Sequence, residues 1–295
     1  MVDFLFKNIR IIFILSLVSF SLNLEAADTI NQGLDLFQKK QFEKALPYLE
    51  ASHSKNDPRV QAALGYMYRD GLGVEKDYQK AFMLFLESAK QSNPKGQFGV
   101  GSMYDRGFFV KRNKEKAFKW YLYAAENGYS SAQNNVAWSY VHGEGIPKDY
   151  KKAREWYEKA MIQGHSNAMV GLSFMYYWGK GVKKDRNKAA ELDKRAAALG
   201  NRKGQFNLGR DYEDGTGVPK DYKQAVYWYF KAAENGDPMA MERLYEAYHL
   251  NRLGLKRDDE KAHYWAEKAR ETRRKTGEVD PRSLSVIEKV RMIWF

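Results

Sequence analysis

The chain has 295 residues, with 49 Lys and Arg against 37 Asp and Glu for a net charge of +12. It has no cysteine, which excludes disulfides, a thiolate nucleophile and a thiolate metal site. The positive excess is spread along the chain, denser only at Arg270, Arg273, Arg274 and Lys275, and no basic stripe is expected at any regular step; it reads as solvated lysine-bearing helix faces, so nucleic acid is not an expected partner.

Residues 1–27 read as a secretory signal peptide. Lys7 and Arg10 form a basic flank, Ile11 to Leu22 is an apolar run broken only by serine, and Leu24 to Ala27 end in small residues. Cleavage is expected after Ala26 or Ala27. The run is short for a membrane span of about 20 apolar residues. An uncleaved anchor stays open as the alternative, and it is the only membrane attachment the chain suggests. No cysteine follows the run, so a lipoprotein anchor is not expected. The reading is an exported protein, periplasmic or secreted.

Residues 28–57 look like a short helical hairpin with a tight turn at Lys39-Lys40-Gln41. From there the chain repeats itself. Tyr68, Tyr104, Tyr140, Tyr176, Tyr212 and Tyr248 recur every 36 residues, as do Gly71, Gly107, Gly143, Gly179 and Gly215. Self-similarity at such a period is the signature of a stacked repeat protein. Six copies fill residues 58–271, each reading as helix A, loop, helix B. In the fifth, Leu208, Gly209 and Tyr212 share one face of helix A, and Gly215 ends it in the left-handed region. Asp221 stands at the N-cap of helix B, whose inner face carries Ala225, Trp228, Tyr229, Ala232 and Ala233. Asp77, Asn113, Asp149 and Asp185 take the cap position in the earlier copies. The sixth copy needs one extra residue after Tyr248 to bring Asp258 and Ala262 into register. In residues 272–295, Leu284, Ile287, Val290 and Trp294 suggest a last helix capping the stack.

The phrase Leu208-Gly209-x-x-Tyr212-x-x-Gly215-x-Gly217-Val218-Pro219-Lys220-Asp221-Tyr222-x-x-Ala225-x-x-Trp228-Tyr229 closely resembles the Sel-one-like repeat, a relative of the tetratricopeptide repeat. The hairpin before it resembles a plain tetratricopeptide unit. The resemblance implies an all-α fold, a right-handed superhelical solenoid of stacked antiparallel helix pairs with a concave groove. It also implies an adaptor or scaffold, in bacteria often exported and tied to envelope regulation, cell-wall enzymes or host contact. Two departures are local: Phe109 replaces the second loop glycine of the second copy, and Asp193 replaces the helix-B tyrosine of the fourth.

No residue set points to catalysis, a metal or a cofactor. The Gly-x-Gly pairs follow helices, not the strands a dinucleotide site requires. Ser52-x-x-Lys55, Ser92-x-x-Lys95 and Lys275-Thr276-Gly277 match penicillin-enzyme patterns, but the Ser-Asp-Asn element is missing. A β-lactam-binding or other envelope enzyme is therefore the alternative reading, beside a peptidoglycan-binding module, or a module for another acidic envelope polymer, that uses aromatic faces and positive charge. The better clue is where the copies disagree. The column Tyr66, Ser102, Trp138, Phe174, Arg210 and Glu246 mixes aromatic, polar and charged residues. With neighbours on the same helix face it gives Asn135, Trp138 and His142, then Gly171, Phe174 and Trp178, then Asn207, Arg210 and Asp214. In the resembled family helix A commonly lines the concave side. This face is expected to take an extended protein or peptide segment, with aromatic anchors and Asn amides on its backbone.

Overall fold

The computed structural model describes residues 27–53 and 56–277. These form fourteen helices and no strand among the described residues. Helix α1 covers 27–38, and α2 (Phe42–His53) completes the expected hairpin, with Lys40 at φ 58° in the turn between them. The repeats supply α3 (Pro58–Asp70), α4 (Tyr78–Lys90), α5 (Pro94–Arg106), α6 (Lys114–Glu126), α7 (Ser130–His142) and α8 (Tyr150–Ile162). They continue with α9 (Ser166–Trp178), α10 (Arg186–Ala198), α11 (Arg202–Asp214), α12 (Tyr222–Glu234), α13 (Pro238–His249) and α14 (Asp259–Thr276). The architecture is the all-α helix-pair solenoid. Two compact units divide it. One runs to Ala132 and includes Glu144–Ile146; the other comprises Gln133–Gly143 and the chain from Pro147. The capping helix expected beyond Pro281, the leader segment and Lys55 lie outside the described residues.

Each copy closes its loop in the same way. The N–H of the helix-B cap residue donates to the C=O of the ladder tyrosine: Asp77 to Tyr68, Asn113 to Tyr104, Asp149 to Tyr140, Asp185 to Tyr176 and Asp221 to Tyr212, at 2.9–3.0 Å. The cap side chain then accepts the N–H three residues on, as Asp77 does from Lys80 and Asn113 from Lys116, both at 2.8 Å. Helix A ends on a left-handed glycine such as Gly71 (φ 70°) or Gly215 (φ 71°), where a side chain would be strained. The sixth copy absorbs its extra residue in the loop, and Asp258 still donates to the Tyr248 carbonyl, at 3.3 Å.

A second contact ties the two ends of a pair. Gln61, Gln97, Gln133 and Gln205, all buried on helix A, accept from Gln91, Asn127, Gln163 and Asn235 at the end of helix B. In the fourth copy both members are apolar, Met169 and Leu199. An unpaired buried amide is costly, so the two positions change together.

The lysines contradict the expectation that no basic stripe keeps the repeat. Lys80, Lys116, Lys152, Lys188 and Lys261 occupy one column, each over the ladder tyrosine of its copy at 3.9–5.5 Å from the ring centroid. The residue whose amide meets the cap necessarily sits one turn into helix B, opposite that tyrosine. Part of the positive excess is thus built into the repeat as cation–π contacts.

Candidate functional site

The site rests on how helix B packs. Phe85, Tyr121, Tyr157 and Tyr229 hold one position in the first, second, third and fifth copies and are buried. Such a ring, buried, contributes about 2–3 kcal/mol. Room for it comes from helix-A residues that lack a side chain. A Cβ on Gly65 or Gly101 would lie 2.7 Å from the ring of Phe85 or Tyr121 in the same copy. A Cβ on Gly99 or Gly171 would lie 2.3 or 2.4 Å from the ring of Phe85 or Tyr157 in the preceding copy. Helix A therefore presents a shallow floor wherever glycine stands in this second position.

Above Gly171 the second unit has a cavity of about 290 Å³. Trp138 of α7 and Phe174 of α9 form its aromatic sides, with Tyr157 as the buried wall. Burial alone pushes the Tyr157 phenol well above its ordinary pKa, so it stays protonated. The polar lining is Asn134, Asn167, Asn201, Arg202 and Lys203. Asn201 is spent structurally: its amide donates to Ser166 Oγ at 3.0 Å and Asn167 Oδ1 at 2.6 Å, and its oxygen caps α11 at Gly204. Arg202 donates to the Gly236 carbonyl at 2.7 Å. The Asn167 amide N–H groups and the Asn134 Oδ1 have no protein partner among the described residues. The cavity thus combines two aromatic rings with asparagine side chains that keep hydrogen-bonding capacity.

The residues expected on this face are distributed differently. Trp138 and Phe174 line the cavity together with Gly171. Asn135 lies beside it and accepts from Asn134 at 3.4 Å. His142 stacks on the Trp138 indole at 3.9 Å, and its Nδ1–H donates to the Trp138 carbonyl at 2.8 Å, so it supports the anchor. Trp178 is 43% exposed, packs edge-on against Tyr177, and lies outside the lining, as do Arg210 and Asp214. Asn207 requires a correction: it is buried, and its amide donates to Asp193 Oδ1 at 3.1 Å. Its column faces the helix-B column of the preceding copy, where a carboxylate replaces the ring. Asn134, Asn167, Asn201, Arg202 and Lys203 were missed. All but Asn134 sit at the start of a helix A, a position that reads only as a cap when one copy is considered alone.

Asp193 is the centre of a buried polar cluster. Ser173 Oγ and Asn207 Nδ2 donate to it, and Arg210 lies near enough to favour its charge. Burial outweighs these and pushes its carboxyl up to about 7. Asp211, at the position of Met67, Met103 and Met175, is also buried. Burial first and the Asp193 charge second push it up to about 8, against Arg210.

The first unit has a larger cavity of about 630 Å³ between α1, α3 and the start of α5. Leu34, Phe37, Ala63, Tyr66, Pro94 and Tyr129 make it mainly apolar.

The residues suggestive of catalysis are placed as ordinary structure. Ser92 lies in a turn at φ 58°. Lys275-Thr276 end helix α14 at Gly277, with Thr276 Oγ1 donating to the Thr272 carbonyl at 3.0 Å, where the enzyme motif needs a strand. Among the described residues no group of three His, Asp or Glu is placed to hold a metal ion. No helix among them is long and apolar enough to cross a membrane.

The Sel1 repeat matches residues 58–93, 94–129, 130–165, 166–201, 202–237 and 239–271. A comparison with curated proteins finds no match. Among solved structures, the chain is similar to a Sel1 repeat protein from Oxalobacter formigenes. Identity is 35% with a TM-score of 0.76, over 82% of this chain and 96% of that one. It is also similar to a protective antigen of uropathogenic Escherichia coli strains with an SLR fold, at 30% identity and a TM-score of 0.67. That match covers 89% of this chain but 57% of the antigen. An immunity protein from Pseudomonas aeruginosa, 16% identical with a TM-score of 0.53 over 72% of this chain and 82% of that one, shares the fold alone. Repeat match, loop closure and structural likeness agree: the chain belongs to the Sel1 repeat family.

Proposed function

We propose that this protein is a non-enzymatic exported scaffold whose second unit holds an extended segment of a protein partner. The cavity beside Trp138 and Phe174 carries the reading. Its Asn167 donor and Asn134 acceptor match one peptide unit, whose C=O accepts and whose N–H donates. The flanking rings provide aromatic anchors of the kind that dominate binding energy at interfaces. Arg202 and Lys203 favour a segment with acidic residues nearby. Membership in a scaffold family supports the class of function. The basic flank, apolar run and small residues of the leader support export to the periplasm or beyond. Regulation of an envelope enzyme and contact with a host cell are two settings for the same groove.

A photo-crosslinking residue at Asn134, compared with one at Lys119 on α6, tests the reading in the native envelope. The expected result is a partner adduct at position 134 that Phe174→Ala abolishes while the helical circular dichroism is retained. Equal adducts at both positions, or adducts indifferent to Phe174→Ala, would refute it. An adduct to peptidoglycan in place of protein would favour the glycan-binding reading.

A further inference from the structure

In four copies the second loop glycine is pressed onto the start of the preceding helix B. A Cβ on Gly145 or Gly217 would lie 2.2 or 2.1 Å from the carbonyl oxygen of Lys114 or Arg186. One on Gly73 or Gly181 would lie 2.7 Å from Glu43 or Tyr150. Phe109 stands at this position in the α5–α6 loop, and no side chain fits there. The loop keeps the positive φ of the glycines, 68–74° in those four copies, and adds one hydrogen bond of its own. Phe109 takes φ 62°, and the Val110 N–H donates to the Phe108 carbonyl at 2.7 Å, which makes Phe109 the centre of a γ-turn with positive φ. That turn is rare and strained, and strain of this kind collects at functional sites. Phe108 stacks on Tyr78 at 4.6 Å, while Phe109 rides above Phe82 at 5.7 Å and stays 53% exposed.

Three cations flank this ring in the chain. Arg106, Lys111 and Arg112 are exposed and take no ion pair among the described residues. Two acids of this unit, Asp105 and Glu144, are both engaged by Lys114, at 2.6 and 2.7 Å. The apolar cavity of this unit is lined by other residues, and the Phe109 ring is half exposed. An exposed aromatic tip flanked by three cations without an ion pair complements a soft anionic surface.

We propose that the α5–α6 loop is a contact site for an anionic membrane surface. Phe109 enters the headgroup boundary, and Arg106, Lys111 and Arg112 lie against lipid phosphates. The inference is independent of the groove in the second unit.

Because the chain has no cysteine, a Phe109→Cys variant carries an environment-sensitive dye at that point alone. The full chain is titrated with vesicles of phosphatidylglycerol and phosphatidylcholine, with pure phosphatidylcholine vesicles, with inorganic phosphate and with polyglutamate. A blue shift on the anionic vesicles only is expected. Added Lys111→Gln and Arg112→Gln should weaken it about 25-fold, from about fivefold per cation. No shift on anionic vesicles, or an equal shift on neutral ones, overturns the proposal. A shift with phosphate alone assigns the cations to a free anion, and one with polyglutamate assigns the loop to acidic protein; either also overturns it.

Discussion

Replacing Asp193 by Asn should change how stability depends on pH, with a sign that burial dictates. Asp193 and Asp211 are both buried, and both carboxyls are pushed above the ordinary value of 3.8. As pH rises from about 4, the unfolded chain loses these protons first. The folded chain keeps protons on this pair to a higher pH, because burial disfavours both charges and each charge disfavours the other. Where the folded state holds the extra proton, stability falls with rising pH by about 1.4 kcal/mol per unit for each group. It is full below the unfolded value and levels off above the folded ones. Between pH 5 and 7, Asp193 accounts for a loss of about 2 kcal/mol. An asparagine does not ionise, and its single amide oxygen keeps one of the two acceptor contacts, since Asp193 accepts from Asn207 on Oδ1 and from Ser173 on Oδ2. Its offset from the wild type need not be zero, because its new N–H groups are buried. The difference between the two proteins nevertheless shifts toward the variant by about 2 kcal/mol over those two units. Hydrogen exchange of the α10 and α11 amides, corrected for intrinsic rate, reads this locally, and urea midpoints read it globally. Parallel pH profiles for variant and wild type would refute the assignment of the buried proton.

Gly217→Ala should destabilise by about 2 kcal/mol or more, since its Cβ would meet the Arg186 carbonyl oxygen at 2.1 Å and its φ is +73°; a urea midpoint equal to the wild type's would contradict the seating of the loop. Phe109→Gly should leave stability unchanged or raise it by about 1 kcal/mol, because glycine relieves the positive φ; a clear loss would show that the turn carries no strain. Asp221→Ala should cost about 1 kcal/mol through the amides of Lys223 and Gln224, and a thermal melt indistinguishable from wild type would argue against the cap. Gly171→Ala should both destabilise and close the cavity, lowering adduct formation at Asn134 in step with helix content lost; retained adducts would show that the Tyr157 ring yields.

The repeat carried most of the local structure in legible form. A glycine that must reach positive φ, a cap acid before helix B and a tyrosine one turn before the end of helix A act within a single copy, so each reads from spacing alone. The lysines over the ladder tyrosines are equally regular in the sequence, but their stacking on the rings is a contact that total charge does not express. Copy-to-copy packing could not be read this way. Asn135, Gly171 and Asn207 share one column, yet only the helix B of the preceding copy decides what each does. Where it offers Tyr157, glycine makes room and leaves the floor of a cavity. Where it offers Asp193, the amide of Asn207 is drawn inward and lost to any partner. Helical face arithmetic describes one helix, whereas a side chain's exposure depends on the volume of the residue opposite. The order of helices, their ends and their loops were therefore determined by sequence alone. Which of the variable residues face an open cavity was decided only by stacking, because burial is a property of pairs of copies.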